Sequence, residues 1–300
     1  MQCMEVWGGN ALVDSGVVMA GLDAWVYSKP YMDAAGGGDV YYVSSCATGR
    51  INRLLVADVS GHGEDVSELA ITLRTLMRKY VNFIDQTRFV KQMNHQFVEL
   101  AKEGLFATAL VTTFFGPTKE LSLCNAGHPP PLIYRAKTGT WLMLEPTTIE
   151  DTGRNIPLGI LDLDDYAQFV TRLELNDLVL CYTDSLIESK DQAGDFLGTG
   201  GLLQTIAKIN VTDPARLVHT LLEAISHLHP GNLSDDDVTT LLFRPNGLGS
   251  SIPLTDRLLA PWRILKSMFS SGTMSRPELS IANIGGAILN PLSHVRKRLG

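Results

Sequence analysis

Asp39, Asp58, Asp184 and the run Asp235, Asp236, Asp237 share one local context: each stands where an apolar, strand-like run meets a turn. Asp58 sits at the end of "RLLVADV" and is followed by "SGHG"; Asp39 follows the glycines of 36–38 and opens "VYYV". Asp184 closes "LVLCYTD", and the triple aspartate precedes "VTTLLF". Taken singly, each reads as a strand-end cap or an Asx turn. Taken together, carboxylates gathered at strand ends repel one another and need a cation to stay ionised. Oxygen-only donors suit Mg²⁺ or Mn²⁺ rather than zinc or copper. The glycines at 36–38, 61 and 63 would let the backbone approach such a site and offer carbonyl oxygens as further ligands.

Among the remaining groups, His62 has the pKa range of a proton donor, and it also stands where a helix would start at 64. His128, in "NAGHPPP", reads as a residue that orders a turn. His227 and His229 are two apart on a helical stretch and face different ways, which does not suit a shared metal. Cys124 and Cys181 lie within strand runs and read as core residues rather than nucleophiles.

The elements that must position these groups follow from periodicity. Strands are expected over 39–46, 50–59, 107–116, 120–127, 130–136, 140–146, 167–175, 177–184 and 237–245. Apolar residues at three- and four-residue spacing predict helices at 64–83, 88–102 and 214–228, with a helical patch near 200–209. Strands in runs rather than in alternation with helices indicate an α+β fold, with packed sheets and helices outside. The strands that carry the aspartates are apolar throughout and are expected to be central.

The chain has 300 residues, 45% of them hydrophobic and 19% charged, as in ordinary globular proteins. No apolar run reaches the length of a membrane span, and "MQCMEVWGGN" lacks the basic and apolar regions of a signal peptide. The four cysteines form no C-x-x-C pair, which argues against a zinc ribbon and fits a reducing cytoplasm. Of the net charge of −7, residues 251–300 hold seven Lys or Arg against two acidic residues, a balance of +5, leaving −12 on the first 250. An acidic body does not suit nucleic acid. Residues 247–300 read as a linker followed by an apolar, basic tail. That tail has the composition of a docking or autoinhibitory segment, of a peripheral contact with anionic membrane, or of a stretch packing on its own domain.

In order, "GGGDVYY", "ADVSGHG", "ATALVTTFF", "NAGHPPPLIY", "IPLGI", "DLVLCYTDSLIE" and "DDDVTTLLF" resemble the blocks of the SpoIIE/RsbU branch of the PPM (protein phosphatase 2C-like) serine/threonine phosphatases, over about 30–246. The resemblance implies an αββα four-layer sandwich, two antiparallel sheets flanked by helix pairs, as a domain spanning 1–246. It implies a site for two Mn²⁺ or Mg²⁺ ions held by Asp39, Asp58, the Val59 carbonyl, Asp184 and Asp236, with Asp58 bridging. Asp237 would then flank the site and Asp235 lie at the surface. Ser185 stands where the family usually has glycine, and a position requiring φ > 0 would strain it. Lys29 and Arg50 are the two weak counterparts of a phosphate-gripping arginine.

The implied chemistry is hydrolysis of phosphoserine or phosphothreonine by a bridging water that two metals activate, with Asp58 and His62 as the catalytic pair. The implied partner is a phosphorylated bacterial regulatory protein such as an anti-sigma-factor antagonist. A partner docking on the helices beside Asp58 would be placed to shift that ligand. The alternatives are a non-catalytic pseudophosphatase that binds a phosphoprotein, and a two-metal hydrolase of small phosphoesters.

Overall fold

The computed structural model describes residues 3–46, 48–61, 64–100, 104–146, 156–162 and 166–248. His62 and the tail from 249 onward lie outside the described residues. Gln2–Ser250 is one compact unit.

Among the described residues, twelve strands make two six-stranded antiparallel sheets. The first holds β1 (Cys3–Gly9), β4 (Asp39–Cys46), β5 (Ile51–Val59), β6 (Ala107–Phe115), β7 (Glu120–Ala126) and β10 (Phe169–Arg172), in that spatial order. The second runs β2 (Val13–Met19), β3 (Leu22–Lys29), β12 (Val238–Pro245), β11 (Leu178–Tyr182), β8 (Leu132–Arg135) and β9 (Thr140–Met143). β4, β5, β11 and β12 are therefore interior strands, as their continuous apolar runs require.

Side-chain alternation builds the layers. In β5, Leu54 and Val56 enter the core between the sheets, whereas Leu55, Ala57 and Val59 face α1 (Glu64–Tyr80) and α2 (Gln86–Leu100). In β11, Val179 and Cys181 face inward between the sheets. Leu178, Leu180 and Tyr182 meet α4 (Gly198–Ile206) and α5 (Pro214–Ser226). A helix pair covers each sheet, which is the αββα sandwich in four layers. A fifth, one-turn helix, α3 (Ser185–Glu188), follows β11.

Local chemistry sets the helix ends. The Asp85 carboxylate accepts from the N–H groups of Thr87 and Arg88, capping α2, and Asp213 accepts from Ala215 N–H ahead of Pro214 at the first turn of α5. α1 stops at Tyr80, three residues short of the expected bound. Beyond its end, the buried Arg53 guanidinium donates to the carbonyls of Val81 (2.9 Å) and Ile84 (3.2 Å) and lies over the Phe89 ring. Sequence periodicity did not find β1, β2 and β3. β1 and β2 are edge strands, β1 is broken by a bulge between Glu5 and Trp7, and Gly16 interrupts β2. No helix among the described residues is long and apolar enough to cross a membrane.

Candidate active site

Asp39 and Asp58 are direct cross-strand partners on β4 and β5. Asp39 shares the parity of Tyr41 and Val43, and Asp58 that of Leu54 and Val56, so both fall on the strand face that lines the inter-sheet core. The second sheet meets them with the end of β11 and the start of β12. Thr183 Oγ1 donates to Asp39 Oδ2 at 2.8 Å and receives the Thr239 N–H at 3.0 Å, tying the two sheets together. Asp184 follows at once. Its carbonyl accepts from Ile187 and Glu188 N–H, which starts α3 and places Glu188 one turn away from the Asp184 carboxylate.

Asp237 has a definite structural task. Its Oδ1 accepts from Tyr31 N–H at 2.6 Å, and its Oδ2 accepts from Gly38 N–H at 2.6 Å and Asp39 N–H at 3.2 Å. The glycine run makes this possible. A Cβ at Gly37 would stand 2.3 Å from the Asp237 carboxylate, and one at Gly38 would stand 2.9 Å from the Val59 carbonyl oxygen. Asp236 is exposed, and its Oδ1 accepts from Asp237 N–H at 2.7 Å; Asp235 is also exposed.

The electrostatics are one-sided. Asp39, 3% exposed, is held well above the usual carboxylate range by burial, then by the charges of Asp58 and Asp237, with the Thr183 and Thr239 hydroxyls working the other way. Asp58 is pushed up to about 7 by burial, then by Asp184, Asp236, Asp237 and Glu188. Burial and Glu188 raise Asp184. No lysine or arginine is among the leading influences on these three groups. Hard oxygen donors with unbalanced charge fit divalent cations of the Mg²⁺ or Mn²⁺ class. Among the described residues, however, no three His, Cys, Asp or Glu side chains form a metal-ligating group. Asp39, Asp58, Asp184 and Asp236 thus share one end of the sandwich without closing on a single point.

Other sequence expectations resolve individually. Ser185 lies inside α3 and is absent from the positive-φ residues, so serine is unstrained there. Arg50 precedes β5 at the end of the strand remote from Asp58 and is no phosphate ligand for this site. Lys29 closes β3 opposite Val238, beside Asp237, and its Nζ stands 3.7 Å from Asp33 Oδ1. His128 orders its turn: Asn125 accepts from its N–H at 2.7 Å and donates to its carbonyl at 2.8 Å. His128 Nδ1 is also 2.8 Å from the hydroxyl of Thr108, the cross-strand partner of Asp58. Burial brings the imidazole down to about 3, against a smaller opposing effect of the Tyr182 backbone. The sequence reading missed Thr183, Thr239 and Glu188. Thr183 was visible in "CYTD", and Glu188 was visible as the residue four after Asp184.

The Stage II sporulation protein E (SpoIIE) family model matches residues 49–246. The chain is 23% identical over 192 residues to the phosphoserine phosphatase RsbU of Bacillus subtilis (strain 168), covering 64% of this chain and 55% of that protein. The chain thus spans about half the length of that curated relative. Among solved structures, it is similar to the RsbU and RsbW domains of Rv1364c from Mycobacterium tuberculosis, with a TM-score of 0.63 at 24% identity, over 85% of this chain and 71% of that one. It is also similar to RsbX in complex with magnesium, with a TM-score of 0.57 at 14% identity, over 78% of this chain and all of the other. With the family model covering about two thirds of its length, and the sandwich and aspartate-bearing strand ends in place, the chain belongs to the SpoIIE family.

Proposed function

We propose that the chain is a metal-dependent serine/threonine protein phosphatase, its catalytic domain spanning 1–246 and 247–300 serving as linker and tail. The observation that carries this reading is that buried Asp39 and half-buried Asp58 and Asp184 share one end of the sandwich with no lysine or arginine among the leading influences on them. Asp39, Asp58, Asp184, Asp236 and the Val59 carbonyl would hold two Mn²⁺ or Mg²⁺ ions, with Asp58 shared between them. Bound there, the ions supply a nucleophilic water at neutral pH and offset the charge of a phosphomonoester. The chain's own residues do the positioning. Thr183 orients the Asp39 carboxylate, and Asp237 fixes the backbone of 38–39 against β12. His62 would protonate the leaving serine or threonine oxygen.

RsbX, a neighbour by fold, is described in complex with magnesium, which supports the cation class. The substrate we infer is phosphoserine or phosphothreonine on a bacterial regulatory protein, an anti-sigma-factor antagonist being the leading kind. The pairing of RsbU and RsbW domains in one M. tuberculosis structure is in keeping with that inference. A cytoplasmic setting, with peripheral membrane contact by the basic tail, completes the reading.

A pseudophosphatase is the second reading, favoured by the lack of a three-residue ligating group among the described residues. Hydrolysis of p-nitrophenyl phosphate with and without Mn²⁺ decides between them. Metal-dependent turnover that a chelator abolishes is the expected result. A folded protein with no turnover at any metal concentration would overturn the enzyme reading.

A further inference from the structure

The loop joining β3 to β4 is pinned at both ends and bare at its tip. One carboxylate, Asp237, accepts from Tyr31 N–H at one end and from Gly38 and Asp39 N–H at the other. Gly37 N–H donates to the Asn10 carbonyl at 2.8 Å, and the Asn10 amide returns a bond to Gly37 O at 2.9 Å. Between these anchors, Tyr31 is 40% exposed and Met32 80% exposed.

The tip is also strained. Met32 has φ 52° and Asp33 φ 54°, the left-handed region that costs side-chain-bearing residues about 1 kcal/mol or more each. The turn is closed by Asp33 N–H to Pro30 O and Ala34 N–H to Tyr31 O. Glycine or asparagine would hold this backbone more cheaply, and a polar side chain would suit the solvent better. A large apolar side chain kept outward on unfavourable backbone points to a task outside the fold. Leu12, 66% exposed, continues the same margin, one residue beyond the Val13–Ser28 pair of β2 and β3.

We propose that Met32 and Tyr31, with Leu12 beside them, form the docking surface for the polypeptide that flanks the phosphorylated residue, seating an apolar side chain within a few positions of it. This rests on the phosphatase reading above. Continuity with the candidate site identifies the occupant: the carboxylate that fixes Tyr31 also fixes Asp39. An extended substrate chain advances about 3.3 Å per residue, so a side chain a few positions from the phosphate reaches the tip. Charge argues against a membrane or nucleic acid at this margin, because Lys29 pairs with Asp33 and the adjoining site is acidic.

The test uses two synthetic phosphoserine peptides, alike except for leucine or serine at the two positions on either side of the phosphoserine, with p-nitrophenyl phosphate as a third substrate. The full chain is expected to prefer the leucine peptide by about tenfold in kcat/KM, mainly through KM. Met32→Gly removes the side chain and suits the positive φ, so the fold is kept, and it is expected to reduce that preference to about twofold or less. Turnover of p-nitrophenyl phosphate with equal use of both peptides overturns this inference and leaves the phosphatase reading standing. So does a full preference surviving in Met32→Gly. No turnover of any substrate by the wild type overturns both.

Discussion

At one end of β11 and β12 the neighbouring buried aspartates, Asp177 and Asp23, are paired with arginine, and at the other end Asp184 and Asp237 are not. Before β11, Asp177, 2% exposed, takes an Arg135 guanidinium N–H at 2.9 Å and the N–H groups of Ala136 and Glu174. At the far end of β12, Arg244 donates to Asp23 at 3.0 Å, and the Asn246 amide donates to the other oxygen at 2.8 Å. At the opposite ends of these strands, Asp184 and Asp237 join Asp39 and Asp58 with hydroxyls and backbone N–H groups but no arginine. Both ends are built on the same sheets, so burial alone does not require unbalanced charge. Asp23 and Asp177 have arginine partners, whereas the end that we propose holds a cation has none among its described partners.

Four experiments break or sharpen that contrast. Asp58→Ala is expected to lower metal-dependent turnover by about 10³-fold or more with an unchanged circular dichroism spectrum; retained activity would remove Asp58 from the chemistry. Arg135→Met makes the balanced end resemble the unbalanced one, because Asp177 keeps only its backbone donors. A loss of about 2–3 kcal/mol in denaturant unfolding is expected, discounted for the partial exposure of Arg135.

Asp58→Asn in chelator is expected to act the other way, stabilising the protein by about 1–2 kcal/mol at pH 8 while abolishing turnover. The sign follows from linkage. Asp58 titrates near 7 when folded against 3.8 in the unfolded reference, so in chelator its ionisation removes stability as pH rises through that window. The Asn variant should lack that slope. His128 works in the opposite sense. Its folded value of about 3 lies below 6.5, so its neutral form contributes stability that is lost as pH falls from about 6.5 toward 3. His128→Asn is therefore expected to flatten acid unfolding, by about 1 kcal/mol or less at pH 6 and more below it. An identical acid slope in the variant would show that the imidazole is not buried neutral.

The two halves of this contrast were not equally visible beforehand. β4, β5, β6 and β12 were legible to within a residue or so, because strands buried on both faces read as unbroken apolar runs bounded by turns. β1 and β2 were not, since edge strands broken by a bulge or a glycine carry no such run, and the interior β3 was missed as well. The aspartates stood out by their position at strand ends. The arginine partners of Asp23 and Asp177 did not, because each ion pair joins residues 221 and 42 positions apart.

Sequence patterning determined an α+β fold with packed sheets and outer helices, and which chain segments end in carboxylates, since side-chain period and turn chemistry are local properties of the backbone. It could not separate Asp236 from Asp237, neighbours of the same type. The turn ahead of β12 did that, leaving one carboxylate exposed and setting the other on three backbone N–H groups from the β3–β4 loop and the start of β4. Nor could it say which buried charges are balanced, because that depends on which strand ends the two sheets bring together. Only the tertiary structure decides that, because Coulomb interactions act through space and not along the chain.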